Sequence, residues 1–332
     1  MATLDTVNNL GLLYKDQRKL VEAEEMFQRA LAGYEKALGA DHTSTVTIVN
    51  NLGHVYSDQG KLKEAEEMFH RALVGFKKAR GADHTFTLET VNNLGLLYKD
   101  QGKLKESEEM FLRALVGKEE ALGPDHTSTL NTVNNLGGLY SDQGRLKEAE
   151  EMFLRALVGK QEALGPDHTS TLTTVNNLGV LSKDQGKLEE AEEMYQRALA
   201  GYEKALGADH TSTLTTVNNL GLVYKKQRKL KAAKEMYQRA LEGYEKALVQ
   251  RSRGSLSVNE KQEIANNMLE DLPNELLENI AEWVRICLRN LGTLLTPLVT
   301  TPCSSVPEPR LLDALPCSAP SDLPGGRVLC CE

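Results

Sequence analysis

Cysteine is missing from most of the chain. All five cysteines lie at position 287 or later, and they are Cys287, Cys303, Cys317, Cys330 and Cys331. Disulfides therefore cannot hold the first 286 residues together, and a reducing compartment, the cytoplasm, is expected. Aromatic residues make up only 5% of the chain against 40% hydrophobic residues overall, so the core must be largely aliphatic.

Long apolar runs and an excess of basic charge are also missing. The best candidate for a membrane span, residues 279–300, is interrupted by Glu282, Arg285 and Arg289, so no membrane association is expected. The first residues lack the basic start and apolar run of a secretory signal. A formal net charge of −8 argues against general nucleic-acid binding, which needs a basic surface.

What the chain does contain is a repeat with a fixed period of 42 residues. The word NNLG occurs six times, beginning at Asn8, Asn50, Asn92, Asn134, Asn176 and Asn218. The word Asp-His-Thr occurs five times, beginning at Asp41, Asp83, Asp125, Asp167 and Asp209. Each unit holds two apolar runs with helical spacing, separated by a turn such as SDQGK at 57–61. The sequence predicts an all-α solenoid of six antiparallel helix pairs over residues 1–249.

This pattern resembles the tetratricopeptide repeat. The family's motif positions fall in the first copy on Leu10, Gly11, Tyr14, Ala23, Phe27 and Ala30. Two later copies depart from it, with Ser107 in place of the first alanine and Ser182 in place of the tyrosine. The 42-residue period and the NNLG opening are similar to those of kinesin light chain repeats. The resemblance implies a right-handed superhelix whose first helices line a concave groove, and a role in binding proteins.

Carried over from the resemblance, the first asparagine of each NNLG word lines that groove. An amide that donates twice and accepts can hold a peptide backbone without reading its side chains. Further candidates on the same helices are His54, Lys99, Lys183, Lys225 and Lys226. The last two belong to a basic run at 224–234, which could receive an acidic partner or be a solvated helix surface. An alternative is that the asparagines only join neighbouring repeats, and the second asparagine of each pair is expected to be structural.

The sequence gives no sign of catalysis, of a metal or of a cofactor. The histidines of the Asp-His-Thr words occur once per repeat, and stacked helices lie roughly 10 Å apart. That separation is too great for shared metal ligation at about 2 Å, so a helix-capping role is predicted for His42, His84, His126, His168 and His210. Each QGK is followed by leucine, so no phosphate-binding loop is present. A non-enzymatic scaffold that binds a protein or peptide is expected.

The two ends of the chain carry separate predictions. Residues 250–257 are predicted to be a linker, 258–292 to form helices, and the Pro/Ser/Cys-rich 293–332 to be disordered. Residues 272–284 resemble the opening of an F-box, which implies an Skp-type adaptor and a ubiquitin ligase. The alternative is a capping helix with Trp283 packed on repeat six. The chain could also be the repeat portion of a larger nucleotide-binding signalling protein. Because it begins inside a repeat, Leu4 and Val7 are expected to be exposed.

Overall fold

The structure, a computed structural model, describes residues 2–252 and the side chains of residues 3–247. This part of the chain is made of twelve helices and contains no strand. The first helices of the repeats are α1 (Ala2–Asp16), α3 (Thr43–Asp58), α5 (Thr85–Asp100), α7 (Thr127–Asp142), α9 (Thr169–Asp184) and α11 (Thr211–Lys226). The second helices are α2 (Leu20–Leu38), α4 (Leu62–Arg80), α6 (Leu104–Leu122), α8 (Leu146–Leu164), α10 (Leu188–Leu206) and α12 (Leu230–Ser252). Each helix packs mainly on the helices before and after it in sequence, which confirms the predicted all-α helical-repeat solenoid.

A histidine caps the start of each first helix from α3 to α11. In α7 the Nδ1 atom of His126 accepts a hydrogen bond from the backbone N–H of Ser128 at 3.1 Å. The same contact recurs at the other predicted capping histidines, His42, His84, His168 and His210. Just inside the helix, the hydroxyl of Thr129 donates to the carbonyl of Gly123 at 2.9 Å and closes the loop. The Asp-His-Thr words therefore specify helix starts.

Each first helix ends in a turn with one left-handed residue. In repeat two that residue is Gly60, with φ of 73°, and the N–H of Lys61 returns to the carbonyl of Tyr56 at 2.9 Å. This closure is typical of a glycine-terminated helix. The first and last repeats place Arg18 and Arg228 at the same point, with φ of 58° and 63°. A side chain in this conformation costs about 1 kcal/mol or more, so both arginines hold strained positions.

Small residues bring the two helices of a repeat close together. Gly53 on α3 faces the ring of Phe69 on α4, and a Cβ atom at Gly53 would lie only 2.7 Å from that ring. Phe69 is buried, as are Ala65 and Ala72 on either side of it. Ser107 replaces the first of these alanines in repeat three, where its hydroxyl is satisfied by the carbonyl of Gly95 at 2.7 Å. This departure from the motif is thus accommodated without an orphaned polar group.

Two expectations about the ends differ from the structure. Val7 is buried at 8% exposure because it packs with Phe27 and Tyr34, so the expectation of an exposed Val7 was wrong. The exposed apolar residue of α1 is instead Leu13, at 50%. Helix α12 runs to Ser252 and so includes the first residues of the predicted linker, which contain no glycine or proline to end it. The rest of that linker, the F-box-like stretch and the predicted tail lie outside the described residues.

The histidine caps predict a specific effect on stability. We expect His126→Ala to lower the free energy of unfolding by about 0.5–2 kcal/mol, because the N–H of Ser128 loses its acceptor. His126→Asn keeps an acceptor at the cap and should stay close to wild type. Urea unfolding followed by circular dichroism measures both, and equal losses in the two variants would contradict the capping role.

A second prediction concerns the hydroxyl of Tyr195. It is buried, has no hydrogen-bond partner in the described part of the chain, and burial raises the pKa of this phenol. Repeats one to four have phenylalanine here, for example Phe153. We expect Tyr195→Phe to raise the free energy of unfolding by about 1 kcal/mol, because it removes an unpaired polar group. The reciprocal Phe153→Tyr should lower it, and a stabilising effect of that variant would contradict the explanation.

Candidate protein-binding face

The predicted asparagine ladder lies where neighbouring first helices meet. Helix α7 approaches both α5 and α9 directly, and α9 approaches α11. We call the side of the array formed by α1, α3, α5, α7, α9 and α11 the first-helix face. It carries one ladder asparagine per repeat: Asn8, Asn50, Asn92, Asn134, Asn176 and Asn218. The structure therefore brings the six predicted residues into one row.

The oxygen atoms of the ladder amides are used to join repeats. The Oδ1 atom of Asn92 accepts from the Nδ2 of Asn135 in the next repeat at 3.2 Å. That of Asn134 accepts from Asn177 at 3.3 Å and from the hydroxyl of Thr174 at 3.0 Å. Similar bonds reach Asn8, Asn50 and Asn176. Four of the second asparagines, Asn51, Asn93, Asn135 and Asn177, thus act as structural donors between repeats, in agreement with their predicted role.

The nitrogen atoms of most ladder amides, unlike the oxygens, are not bonded to another repeat. In the part of the chain that the structure describes, the Nδ2 atoms of Asn50, Asn92, Asn134 and Asn176 donate to no protein acceptor. The side chains are largely enclosed, with Asn92 at 4% and Asn134 at 8% exposure. Neither nitrogen is among the buried polar atoms that lack a partner, so both can still be reached from the surface. At Asn50, Asn92, Asn134 and Asn176 the ladder consequently offers free donors while its oxygens are already bonded, whereas the Oδ1 atom of Asn218 is buried without a partner among the described residues.

The predicted lysines are partly engaged by the array itself. The Nζ atom of Lys99 lies 3.1 Å from a carboxylate oxygen of Asp142 in the next repeat. Lys183 pairs with Asp184 at 3.3 Å, and Lys226 donates to the carbonyl of Lys183 at 3.5 Å. Lys225 lies beside Lys226 at the end of α11. The charges of Lys99 and Lys183 are therefore balanced by neighbouring acids.

His54 is held by the protein more tightly than a surface ligand residue would be. Its Nε2 atom is 3.1 Å from the Nδ2 of Asn93, and its ring meets that of Phe69 edge to face with centroids 5.1 Å apart. Burial is the main cause, and the charge of Lys15 a smaller one, of a pKa of His54 that is lowered to about 4, while Asp58 and Glu89 oppose the shift. The imidazole is therefore neutral in the folded protein at pH 7 and links repeats two and three.

A polar clamp at the turns was not foreseen from the sequence. In repeat two, Gln59 and Lys61 both bond to Glu24 of repeat one, at 2.9 and 3.0 Å. Burial would raise the pKa of Glu24, but these two hydrogen bonds outweigh it and lower the pKa. A carboxylate of the preceding repeat is bonded in the same way at Gln101, Gln143 and Gln185. In the sequence, only the constant 35-residue separation between these glutamates and glutamines could have indicated these contacts.

Neither a metal site nor a pocket coincides with the ladder in the described residues. They contain no group of three or more His, Cys, Asp or Glu side chains that could hold a metal ion. An open pocket of about 330 Å³ lies at repeat two and the loop before it, lined by Asp41, Val46, His70 and Val74 among others. None of the ladder asparagines lines it.

Comparison with known proteins agrees with this architecture. The sequence profile of the tetratricopeptide repeat matches residues 2–78, 44–115, 86–162, 128–204 and 170–246. The chain belongs to the tetratricopeptide repeat family. Such arrays are typically non-enzymatic scaffolds for protein–protein interaction. No curated protein matches the sequence.

Two solved structures illustrate the fold of this tetratricopeptide array. BtubC (BKLC) from P. vanneervenii is 21% identical with a TM-score of 0.54, and the match covers 74% of this chain and 94% of that one. A putative kinesin light chain from P. anserina with nearly identical TPR-like repeats is 22% identical with a TM-score of 0.50. It covers 62% of this chain and 97% of its own. At these identities the likeness shows the fold alone. Within the described tetratricopeptide array, no helix is long and apolar enough to cross a membrane.

The environment of His54 predicts a pH dependence of stability. Its pKa is about 4 when folded and about 6.5 when unfolded, so the unfolded chain binds the extra proton between these values. The stabilisation from neutral His54 is therefore complete above about pH 6.5 and is lost as the pH falls towards 4, amounting to about 2–3 kcal/mol.

The matched variant is His54→Leu, because Leu12, Leu96 and Leu222 stand at this position in other repeats. Urea unfolding of both proteins between pH 4 and 7.5 isolates the His54 contribution, since all other titrating groups are shared. We expect the leucine variant to lose less stability on acidification. Parallel pH profiles for the two proteins would contradict the burial of a neutral imidazole.

Proposed function

We propose that this tetratricopeptide array is a scaffold whose first-helix face holds an extended segment of a partner protein. In this proposal the free amide nitrogens of Asn50, Asn92, Asn134 and Asn176 donate to the backbone carbonyls of that segment. The observation that carries the proposal is the asymmetry of the ladder. At Asn50, Asn92, Asn134 and Asn176 the oxygens are taken by the next repeat, whereas the nitrogens lack acceptors in the described part of the chain.

The spacing of the ladder suits an extended chain. Adjacent packed helices lie about 10 Å apart, and an extended peptide advances about 3.3 Å per residue. One ladder amide would therefore meet the partner backbone at about every third residue. The four nitrogens together would span a segment of about ten residues. Contacts of this kind are made to the backbone of the partner, so they select an extended conformation of the partner rather than a particular sequence.

Selectivity would then come from the row four residues beyond the ladder. It reads Leu12, His54, Leu96, Gly138, Val180 and Leu222, and it differs between repeats whose other positions are nearly identical. Gly138 has only the Nζ of Lys99 within 4 Å of its missing Cβ, so this point has room for a partner side chain. Leu96 is 36% exposed beside it. An apolar side chain flanked by a small residue would fit this part of the row.

The test must remove the donors without opening the array. Asn92→Asp with Asn134→Asp keeps both oxygens for Asn135, Asn177 and Thr174, but replaces each NH2 donor with a carboxylate oxygen. Carbonyl groups of a partner would then face acceptors. We expect partner capture by the immobilised full chain, quantified by mass spectrometry, to fall by about tenfold or more.

The control breaks the joints between repeats and spares the ladder nitrogens. Asn135→Ala with Asn177→Ala removes the donors to Asn92 and Asn134, so it should lower the melting temperature while partner capture persists. The proposal fails if the aspartate variant captures the same proteins at wild-type yield. It fails equally if capture follows melting temperature in both variants, because the ladder would then act only through stability.

A further inference from the structure

The second helices of repeats three and four differ from the others on their exposed side. They carry Leu112 and Leu154 where the remaining repeats have Gln28, His70, Gln196 and Gln238. One turn later they carry Val116 and Val158. The four side chains are 41–54% exposed, and we call them the central patch. Exposed apolar residues that cluster on neighbouring elements often mark an interaction surface.

Other repeats use the position of Leu112 and Leu154 for a polar contact to the next repeat. Gln28 donates to the hydroxyl of Tyr56 at 3.2 Å, and Gln196 does the same to Tyr224. His70 contacts the hydroxyl of Tyr98 at 3.0 Å. Leucine cannot form such a bond. Leu112 therefore cannot bond to Tyr140, whereas the residue that would face Leu154 is Ser182 in place of the tyrosine. Both leucines leave exposed apolar surface where the other repeats have a polar side chain.

The charge at one end of the patch also changes in these two repeats. Glu120 and Glu162 stand where the other repeats have Lys36, Lys78, Lys204 and Lys246. Three of those lysines pair with the aspartate of the preceding loop, at 2.5, 3.2 and 3.7 Å. In repeats three and four the loop residues are still Asp83 and Asp125, so this ion pair is replaced by two acids. The exchange costs internal stability and makes this end of the patch acidic.

Lysines occupy the opposite end of the patch. Lys105 and Lys147 lie seven residues before the leucines, on the same side of α6 and α8, and both are exposed. Neither makes a salt bridge within residues 3–247. Lys63 and Lys231 stand at this point in repeats two and six. The lysine therefore occurs in four repeats, whereas the leucine and the glutamate occur only in repeats three and four. Each of α6 and α8 thus presents Lys, Leu, Val and Glu in order along its outer side.

An ion pair links helices α6 and α8. The guanidinium of Arg155 on α8 bonds to Glu119 on α6 at 2.5 Å, so the two helices lie within side-chain reach of each other. Both are second helices of their repeats and run in the same direction along the array. The two Leu–Val pairs therefore lie in parallel, with both lysines at one edge and both glutamates at the other.

We propose that the central patch is a homodimer interface in which a second copy packs with its helices antiparallel, α6 on α6 and α8 on α8. This orientation sets Leu112 against Val116 of the other copy and Lys147 near Glu162 of the other copy. A parallel orientation would set lysine against lysine and glutamate against glutamate, which opposes association. The surface is thus complementary to itself about a two-fold axis that crosses the helices.

The remaining charges on the outer side are compatible with this packing. Glu109 and Glu151 lie one turn after the lysines and fall opposite Glu119 and Gln161 of the other copy. The charge of Glu119 is already neutralised by Arg155. Because the central patch lies on the second helices, the dimer leaves the first-helix face of both copies free. The inference is therefore independent of the proposed peptide site.

The first test uses residues that other repeats already carry. Leu112→Gln with Leu154→Gln copies Gln28 and Gln196, so folding should be preserved, which circular dichroism can check. We expect the full-length wild type to sediment as a dimer at protein concentrations up to about 100 µM. The variant should have a dissociation constant at least tenfold higher. A wild type that sediments as a monomer throughout this range would overturn the inference, as would a variant that dimerises equally well.

A charge exchange tests the orientation. Lys147→Glu alone and Glu162→Lys alone should each weaken the dimer, since each puts like charges together across the interface. The two substitutions in one chain restore opposite charges and should recover the wild-type dissociation constant. Failure of the double variant to recover would overturn the antiparallel arrangement, whereas recovery that persists only at low salt would agree with exposed ion pairs.

Discussion

The contact between a glycine and an aromatic ring holds each repeat of this protein together. In repeat three, a Cβ atom at Gly95 would lie 2.7 Å from the ring of Phe111, and the ring itself is fully buried. Only a residue without a side chain allows the first helix to approach so closely. The ring then fills the space between the helices, and alanines such as Ala114 pack beside it. Because the contact recurs in all six repeats, every helix pair has nearly the same geometry, and identical polar residues meet identical partners between repeats.

That regularity explains why the two sides of the array have different chemistry. On the first-helix face, amide oxygens are consumed between repeats and amide nitrogens remain, so the face offers donors. On the second-helix side, carboxylates such as Glu66 are bonded by Gln101 and Lys103 of the next repeat. These bonds continue through repeats three and four, where Leu112 and Leu154 add exposed apolar side chains to the second helices. The first-helix face is suited to bind the backbone of a partner, whereas most polar groups on the second-helix side already have hydrogen-bond partners within the chain.

Much of the fold could be read from the sequence because the repeat fixes it. The 42-residue period, the apolar spacing and the glycines predicted six helix pairs, and the isolated histidines were correctly interpreted as caps. The details of the site could not be read in this way. Whether an asparagine oxygen faces a ligand or a neighbour depends on the rotation of adjacent helices, which no single repeat records. His54, for example, is a predicted groove residue, and only the structure shows that its ring also packs on Phe69.

Two buried lysines also could not be predicted from the sequence of a single repeat. Lys118 and Lys160 occupy a position that is aromatic in the other repeats, and they are 1% and 2% exposed. Lys118 bonds to Glu89 at 2.6 Å, whereas Lys160 bonds to the hydroxyl of Thr174 at 3.2 Å, and burial lowers the pKa of Lys160 to about 8. A lysine in a helix with an exposed side is normally expected to be solvated. Its burial here follows from the neighbouring repeat, which encloses the ammonium group.

The repeat-to-repeat hydrogen bonds also bear on how such a chain can evolve. The joints use the same pair of atoms: the Nδ2 of the second asparagine in one unit donates to the Oδ1 of the first asparagine in the unit before it. Examples are Asn135 to Asn92 and Asn177 to Asn134. Loss or duplication of one whole unit by unequal recombination would leave every surviving joint intact. The length of the array can therefore change in a single genetic event without compensating mutations. The paired units three and four are the exception, since an event that separated them would divide a surface that neither unit forms alone.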